Sequence, residues 1–360
     1  MHNNYNNSGN NNQYNEWINF GESDFNGQHR KHYTPTPLLE EKRNFSRIGL
    51  GYALFAIISF IASLAIVIIV SAVNPDLYRT NLFLNALTPI ALYVFALPVL
   101  LIVLSKSKPT PPVKQKMSLK KWLLIFVVSF GFMYIGSYVG NYVMDYLSML
   151  MNYDYSNALN TLIDGESLWI TVIFTVIVAP IGEEFVFRKL IIDRTQKYGP
   201  FVSIGLSALM FALMHGNLYQ FFYCFALGII LGYVYYSTGR ILLTISLHAL
   251  INLFGGVITS LLQPTIDGLL KAAENTEALT VFISNNLAGV LALMALSMFM
   301  YASMICAVVI PIVFRRRLNI ARGTNELPKG RVFDTVFANA GMICLLTAYL
   351  LELGLNLLPL

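Results

Sequence analysis

Polar residues crowd the start of this chain, and apolar residues fill the rest. The opening stretch MHNNYNNSGNNNQYNEW is rich in Asn and holds no apolar run. Such sequence buries too little apolar surface to offset chain entropy, so a disordered, solvated tail is expected over residues 1–45. Long apolar stretches then follow at roughly 48–73, 81–104, 121–149, 168–192, 200–215, 218–236, 240–262, 285–314 and 334–355. A bilayer core takes about 20 helical residues. The fifth stretch is short, and Asp334 and Glu352 flank the ninth. Backbone polar groups in lipid need partners within their own segment, which makes helices the spanning element. The pattern therefore predicts an all-α, polytopic transmembrane helix bundle of eight or nine spans behind a disordered N-terminal tail. It divides as tail 1–45, N-terminal helices 46–150, a central core 168–262 and C-terminal helices 281–360. The opening residues have neither a basic n-region nor an apolar h-region, so no cleavable signal is expected and the first span must direct insertion.

Composition narrows the class. Hydrophobic residues make up 56% of the chain and charged residues 12%, about half the roughly 25% of soluble domains. That excludes an ordinary soluble enzyme, and no dense basic patch suggests a nucleic-acid partner. The partner that fits is the lipid bilayer. The formal charge of +5 is unevenly spread. Nearly all Lys and Arg fall before the first span or in the loops after the second, fourth, sixth and eighth, with Arg79 and Lys271 opposite. The positive-inside rule then puts the N-terminus of a multi-pass cell-membrane protein in the cytoplasm. Nine spans would leave the C-terminus outside, and eight would return it. Cys224, Cys306 and Cys344 sit in apolar runs without metal-type spacing and read as buried free thiols. Gly136–Gly140 and Gly228–Gly232 are G-x-x-x-G spacings, which close helix packing and chance explain equally well.

Against this background the ionisable residues inside spans stand out, since each costs about 2.5–3.5 kcal/mol at the bilayer centre. The fourth span reads Ala179-Pro180-Ile181-Gly182-Glu183-Glu184-Phe185-Val186-Phe187-Arg188. Glu184 and Arg188 are four apart and share a helix face as a supporting pair. Glu183 points about 100° away and needs another partner. Pro180 removes a backbone donor and can kink the helix. The fifth span ends at Phe211 and His215, and the seventh carries His248 and Asn252 four apart. Of five histidines, His2, His29 and His32 lie in the tail, leaving these two in the membrane region. Two His, a Glu and an Asn on three spans point to one shared site. Asp145 has no motif around it and reads as a polar residue near a helix end. Depths along the spans agree only if the fourth helix runs on past Arg188 or if spans are offset, and the former is expected.

E-E-x-x-x-R at Glu183–Arg188, F-x-x-x-H at Phe211–His215 and H-x-x-x-N at His248–Asn252, in this order on separate helices, resemble the CPBP family. This family holds the CAAX proteases and bacteriocin-processing enzymes, is also called Abi, and includes the type II CAAX prenyl endopeptidases. The resemblance spans roughly 168–262. It implies an intramembrane endopeptidase in which Glu183 is the catalytic carboxylate and His215 helps hold the attacking water. It further implies that His248 and Asn252 bind the oxyanion, with Glu184 and Arg188 in support. The chemistry is sound on its own terms: a glutamate in a water-poor site can serve as general base, and N–H donors can stabilise a developing oxyanion.

Two mechanisms remain open on the same residues. The expected one needs no cofactor. The alternative has Glu183, His215 and His248 binding Zn²⁺, and the family is often labelled metalloprotease for that reason. H-E-x-x-H is absent, as are the G-x-S-G of a serine nucleophile and a G-x-G-D beside Asp145. The substrate class is a hydrophobic or membrane-anchored polypeptide: a prenylated CAAX tail, a bacteriocin or pheromone precursor, or a target of self-immunity. Other classes are a proton- or cation-coupled transporter, which would be expected to show internal repeats, and a non-catalytic immunity or scaffold protein. The latter has no need of costly polar groups within spans.

Overall fold

The computed structural model describes residues 36–153, 155, 168–315 and 320–357. Among the described residues, nine apolar helices occupy the nine stretches marked by hydropathy. They are α1 (Thr36–Val73), α2 (Asn81–Leu104), α3 (Leu119–Met151), α4 (Leu168–Tyr198), α5 (Pro200–Leu213), α6 (Leu218–Thr238), α7 (Ile241–Leu261), α8 (Leu287–Phe314) and α9 (Ala340–Asn356). Seven are long and apolar enough to cross a membrane, and α5 and α9 are shorter. At 1.5 Å per residue the 14 residues of α5 reach about 21 Å, short of a bilayer core of about 30 Å. The protein is thus an all-helical, multi-pass membrane protein. No strand occurs among the described residues.

The expected tail over 1–45 lies mostly outside the described residues, but its last ten do not: α1 already begins at Thr36. Its first turns are polar because they meet polar loops instead of lipid. Lys42 Nζ lies 3.0 Å from Asp334 Oδ1, and Glu41 takes Lys197 Nζ at 3.4 Å and the Asn325 amide at 3.0 Å. The Gln115 N–H donates to Thr238 O at 2.8 Å, and the Asn325 N–H to Lys197 O at 2.7 Å. The first turns of α1 and the described parts of the loops after α2, α4, α6 and α8 therefore meet at one end. These are the regions that carry the basic residues.

Helix α6 is the centre of the bundle. One core cluster gathers Phe45, Tyr52, Leu100, Phe187, Phe211 and Tyr349 from α1, α2, α4, α5 and α9. A second joins Phe126 and Phe130 of α3, Leu227 and Leu231 of α6 and Leu247 of α7, with α8 packed on α3. Small residues set these approaches. A Cβ at Gly136 would lie 2.5 Å from the Tyr223 backbone, and one at Gly228 2.7 Å from Ala208 Cα. Both G-x-x-x-G spacings are thus packing seams of α6, against α3 and α5. Of the three free thiols only Cys224 is buried. Cys306 is half-buried and Cys344 exposed, because an apolar run in a membrane helix has a lipid face as well as a core face. Asp145 is exposed on α3, two turns before its end. Two helices that hydropathy did not mark, Gln263–Ala272 and Thr276–Asn285, link α7 to α8.

Candidate active site

Helix α4 runs ten residues past Arg188, about 15 Å, so Glu183 and Glu184 sit within the span and not at its edge. It is not a uniform α-helix. Two stretches, Ile173–Val178 and Glu184–Lys189, widen into π turns. Such widenings recur at functional sites because they free backbone groups and re-aim side chains. In the first, the Ala179 N–H reaches back five residues to Phe174 O. The next donor in that register would be residue 180, a proline without an N–H. Thr175 O is left to the Asn252 amide, which donates to it at 2.8 Å. In the second, the Tyr52 hydroxyl donates to Val186 O, and Ser207 Oγ donates to Phe187 O at 2.9 Å. Neighbouring helices thus satisfy carbonyls that the widened helix does not.

The paired glutamates face different ways. Glu184 is fully buried and lies between two partners. Arg188 Nε stands 3.3 Å from its Oε2, an ion pair off the line of a hydrogen bond, and His248 Nδ1 stands 2.9 Å from its Oε1. The Arg188 guanidinium, also fully buried, lies over the Phe211 ring with its carbon 4.2 Å from the centroid. The carboxylate can only accept, so His248 Nδ1 donates. That fixes Nε2 as the ring atom directed at Glu183, whose Oε2 is 3.7 Å away. The partner that Glu183 lacked on its own helix is therefore His248.

His215 follows α5 in a tight turn. Gly216 adopts φ +65°, in the left-handed region that suits glycine, and Asn217 Nδ2 donates to His215 O at 2.9 Å while its Oδ1 caps α6. His215 Nδ1 lies 2.8 Å from Phe211 O. A carbonyl only accepts, so Nδ1 carries the proton and Nε2 keeps a free lone pair.

Glu183, His215, His248 and Asn252 line one cavity of about 490 Å³, within the usual range for ligand sites. Glu184 and Arg188 lie behind it. The structure thus brings all six sequence-derived residues into one neighbourhood and splits them into four that face the cavity and two that brace them. Sequence reasoning missed two contributors. Thr175 supplies the carbonyl that anchors Asn252. Tyr93 of α2 also lines the cavity, and a Cβ at Gly182 would fall inside its ring. Gly182 beside the glutamates was the one signal of that close approach, but nothing on α2 pointed to Tyr93.

The zinc alternative can be tested against the donor set. Among the described residues no three His, Cys, Asp or Glu side chains gather at spacing able to hold a metal ion. The ties of His248 Nδ1 to Glu184 and of His215 Nδ1 to Phe211 O leave the two Nε2 atoms and Glu183 as donors, and these do not form a three-donor group at metal-holding spacing. The arrangement does not fit that ion, and no step below passes through it.

The family model described as type II CAAX prenyl endopeptidase Rce1-like matches residues 165–254, about a quarter of the chain. The matched stretch contains Glu183, Glu184, Arg188, His215, His248 and Asn252. No curated protein and no solved structure matches the chain. Over this stretch the chain is similar to the type II CAAX prenyl endopeptidases.

Proposed function

We propose that this protein hydrolyses a peptide bond in a hydrophobic or membrane-anchored polypeptide, with Glu183 activating water and no metal required. One observation carries the reading. A carboxylate without a Lys or Arg partner faces an apolar-walled cavity within the span, beside one imidazole nitrogen that accepts and another that can donate. Water bound between Glu183 and His215 Nε2 would give its proton to Glu183 as its oxygen attacks the carbonyl carbon. The oxyanion would form beside Asn252, whose second amide N–H is free, and beside His248 Nε2. With Nδ1 already donating to Glu184, that nitrogen donates only when the ring carries both protons. Collapse breaks the C–N bond as Glu183 returns the proton to the leaving nitrogen. The basic end of the bundle, taken as cytoplasmic in a cell membrane, fits a substrate anchored in that leaflet. Prenylated tails and precursor peptides both meet this description.

The test uses full-length protein in lipid nanodiscs and a membrane-anchored fluorogenic peptide. Glu183→Gln is expected to lower the rate by about 10²–10⁴-fold, and Asn252→Leu by about 10²–10³-fold. Strong chelation should leave the wild-type rate unchanged. Cleavage that survives Glu183→Gln would refute the assignment, and loss on chelation with recovery on Zn²⁺ would restore the metal mechanism.

A further inference from the structure

A second cavity, of about 600 Å³, lies at the basic end of the bundle where α3 begins and α4 and α6 end. Gln196 of its wall is 13 residues beyond Glu183 on α4, about 20 Å away along the helix, so it is separate from the catalytic cavity. Lys116, Lys121, Lys197 and Arg322 line it, and no carboxylate does. Lys197 is partly neutralised by Glu41 at 3.4 Å, and Lys121 lies against Tyr233, its Nζ 5.6 Å from the ring centroid. Lys116 and Arg322 have no carboxylate partner among the described residues.

The walls are held in place. Loop 106–118 is tied to α6 by the Gln115 N–H to Thr238 O at 2.8 Å and by Arg240 Nε to Gln115 O at 2.9 Å. The loop carrying Arg322 is pinned on both sides. The Tyr236 hydroxyl donates to Ala321 O at 3.0 Å, and the Asn325 N–H donates to Lys197 O at 2.7 Å. Concentrated positive charge and tyrosine walls at the ends of three apolar helices match what an anionic group at headgroup depth requires.

We propose that this pocket binds a phosphate-bearing anion, with the headgroup of an anionic phospholipid as its source. Lys116 and Arg322 supply the charge. Both basic side chains are exposed at the rim, so their substitution leaves the fold intact.

The experiment measures binding of short-chain phosphatidylglycerol to the full-length protein in neutral detergent by native mass spectrometry, with phosphatidylcholine and inorganic phosphate as separate arms. Wild type should bind one phosphatidylglycerol in preference to phosphatidylcholine. Lys116→Gln with Arg322→Gln should weaken it about thirtyfold, the factor two interfacial charges carry. Lys116→Arg with Arg322→Lys should keep it. Saturation by inorganic phosphate with the same variant dependence would support the anion site and make dissolved phosphate its source. Equal affinity for the two lipids, or equal affinity in wild type and the Gln variant, would overturn the proposal.

Discussion

Arg188 shows how one buried charge organises the others. It is fully enclosed, pairs with Glu184 and covers Phe211, whose ring also meets both histidines edge-on at 5.0 and 5.8 Å. Arg188→Ala would leave Glu184 buried with His248 and the Thr244 side chain beside it. Breaking a buried pair from one side costs about 3–5 kcal/mol, and a loss of that size is expected in equilibrium unfolding in mixed micelles. A loss below about 1 kcal/mol would show that the pair is not the brace described here. At this scale the sequence revealed what spacing alone can encode. Glu184 and Arg188 are neighbours by helix geometry, and Glu183 visibly lacked a partner. That His248 turns Nδ1 to Glu184 and Nε2 to Glu183 depends on how α7 leans on α4, and no local spacing records that.

Among the elements, α4 departs most from the regular helix its hydropathy implies, and Pro180 explains part of the departure. The missing N–H at 180 and the widened turn before it expose Thr175 O, and Asn252 reaches across from α7 to take it. Pro180→Ala restores a donor that competes for that carbonyl. The substitution is expected to stabilise α4, because an interior proline costs a helix about 3 kcal/mol or more. It should also lower the turnover number, as Asn252 loses its anchor. A variant both more stable and equally active would separate Asn252 placement from the proline. The nine helices were legible because a lipid-facing helix must be apolar along its whole length. Their π turns were not, since one extra residue in a turn leaves the hydropathy unchanged. The start of α1 at Thr36 was missed for the opposite reason: Glu40, Glu41, Lys42 and Arg43 look like tail until the loops that meet the first turns of α1 are in view.

Across the whole molecule, charge scarcity acts in two ways. Within the spans it singles out the cluster around Glu183, and at the basic end most of the Lys and Arg among the described residues gather into a layer that ties the loops together. The sidedness of that layer was readable from Lys and Arg positions, whereas its internal pairings were not, because they join residues as distant as Lys42 and Asp334. That pair makes the layer sensitive to acid. Hydrogen bonds from Lys42 and Arg331 hold the Asp334 carboxyl below its ordinary range. A carboxyl whose pKa is lowered by folding adds stability that is fully present above its unfolded value of about 3.9 and disappears as pH falls through the lowered value. Asp334 is well exposed, so the effect is local and partly screened. Hydrogen exchange at Val332–Val336 and the first turns of α1 should therefore keep its protection, at matched intrinsic rates, from pH 7 to about 5 and lose it below about 4. Asp334→Asn should start with less protection and show no such step. A loss already complete at pH 6, or an equal step in Asp334→Asn, would place the acid-sensitive tie elsewhere in the layer.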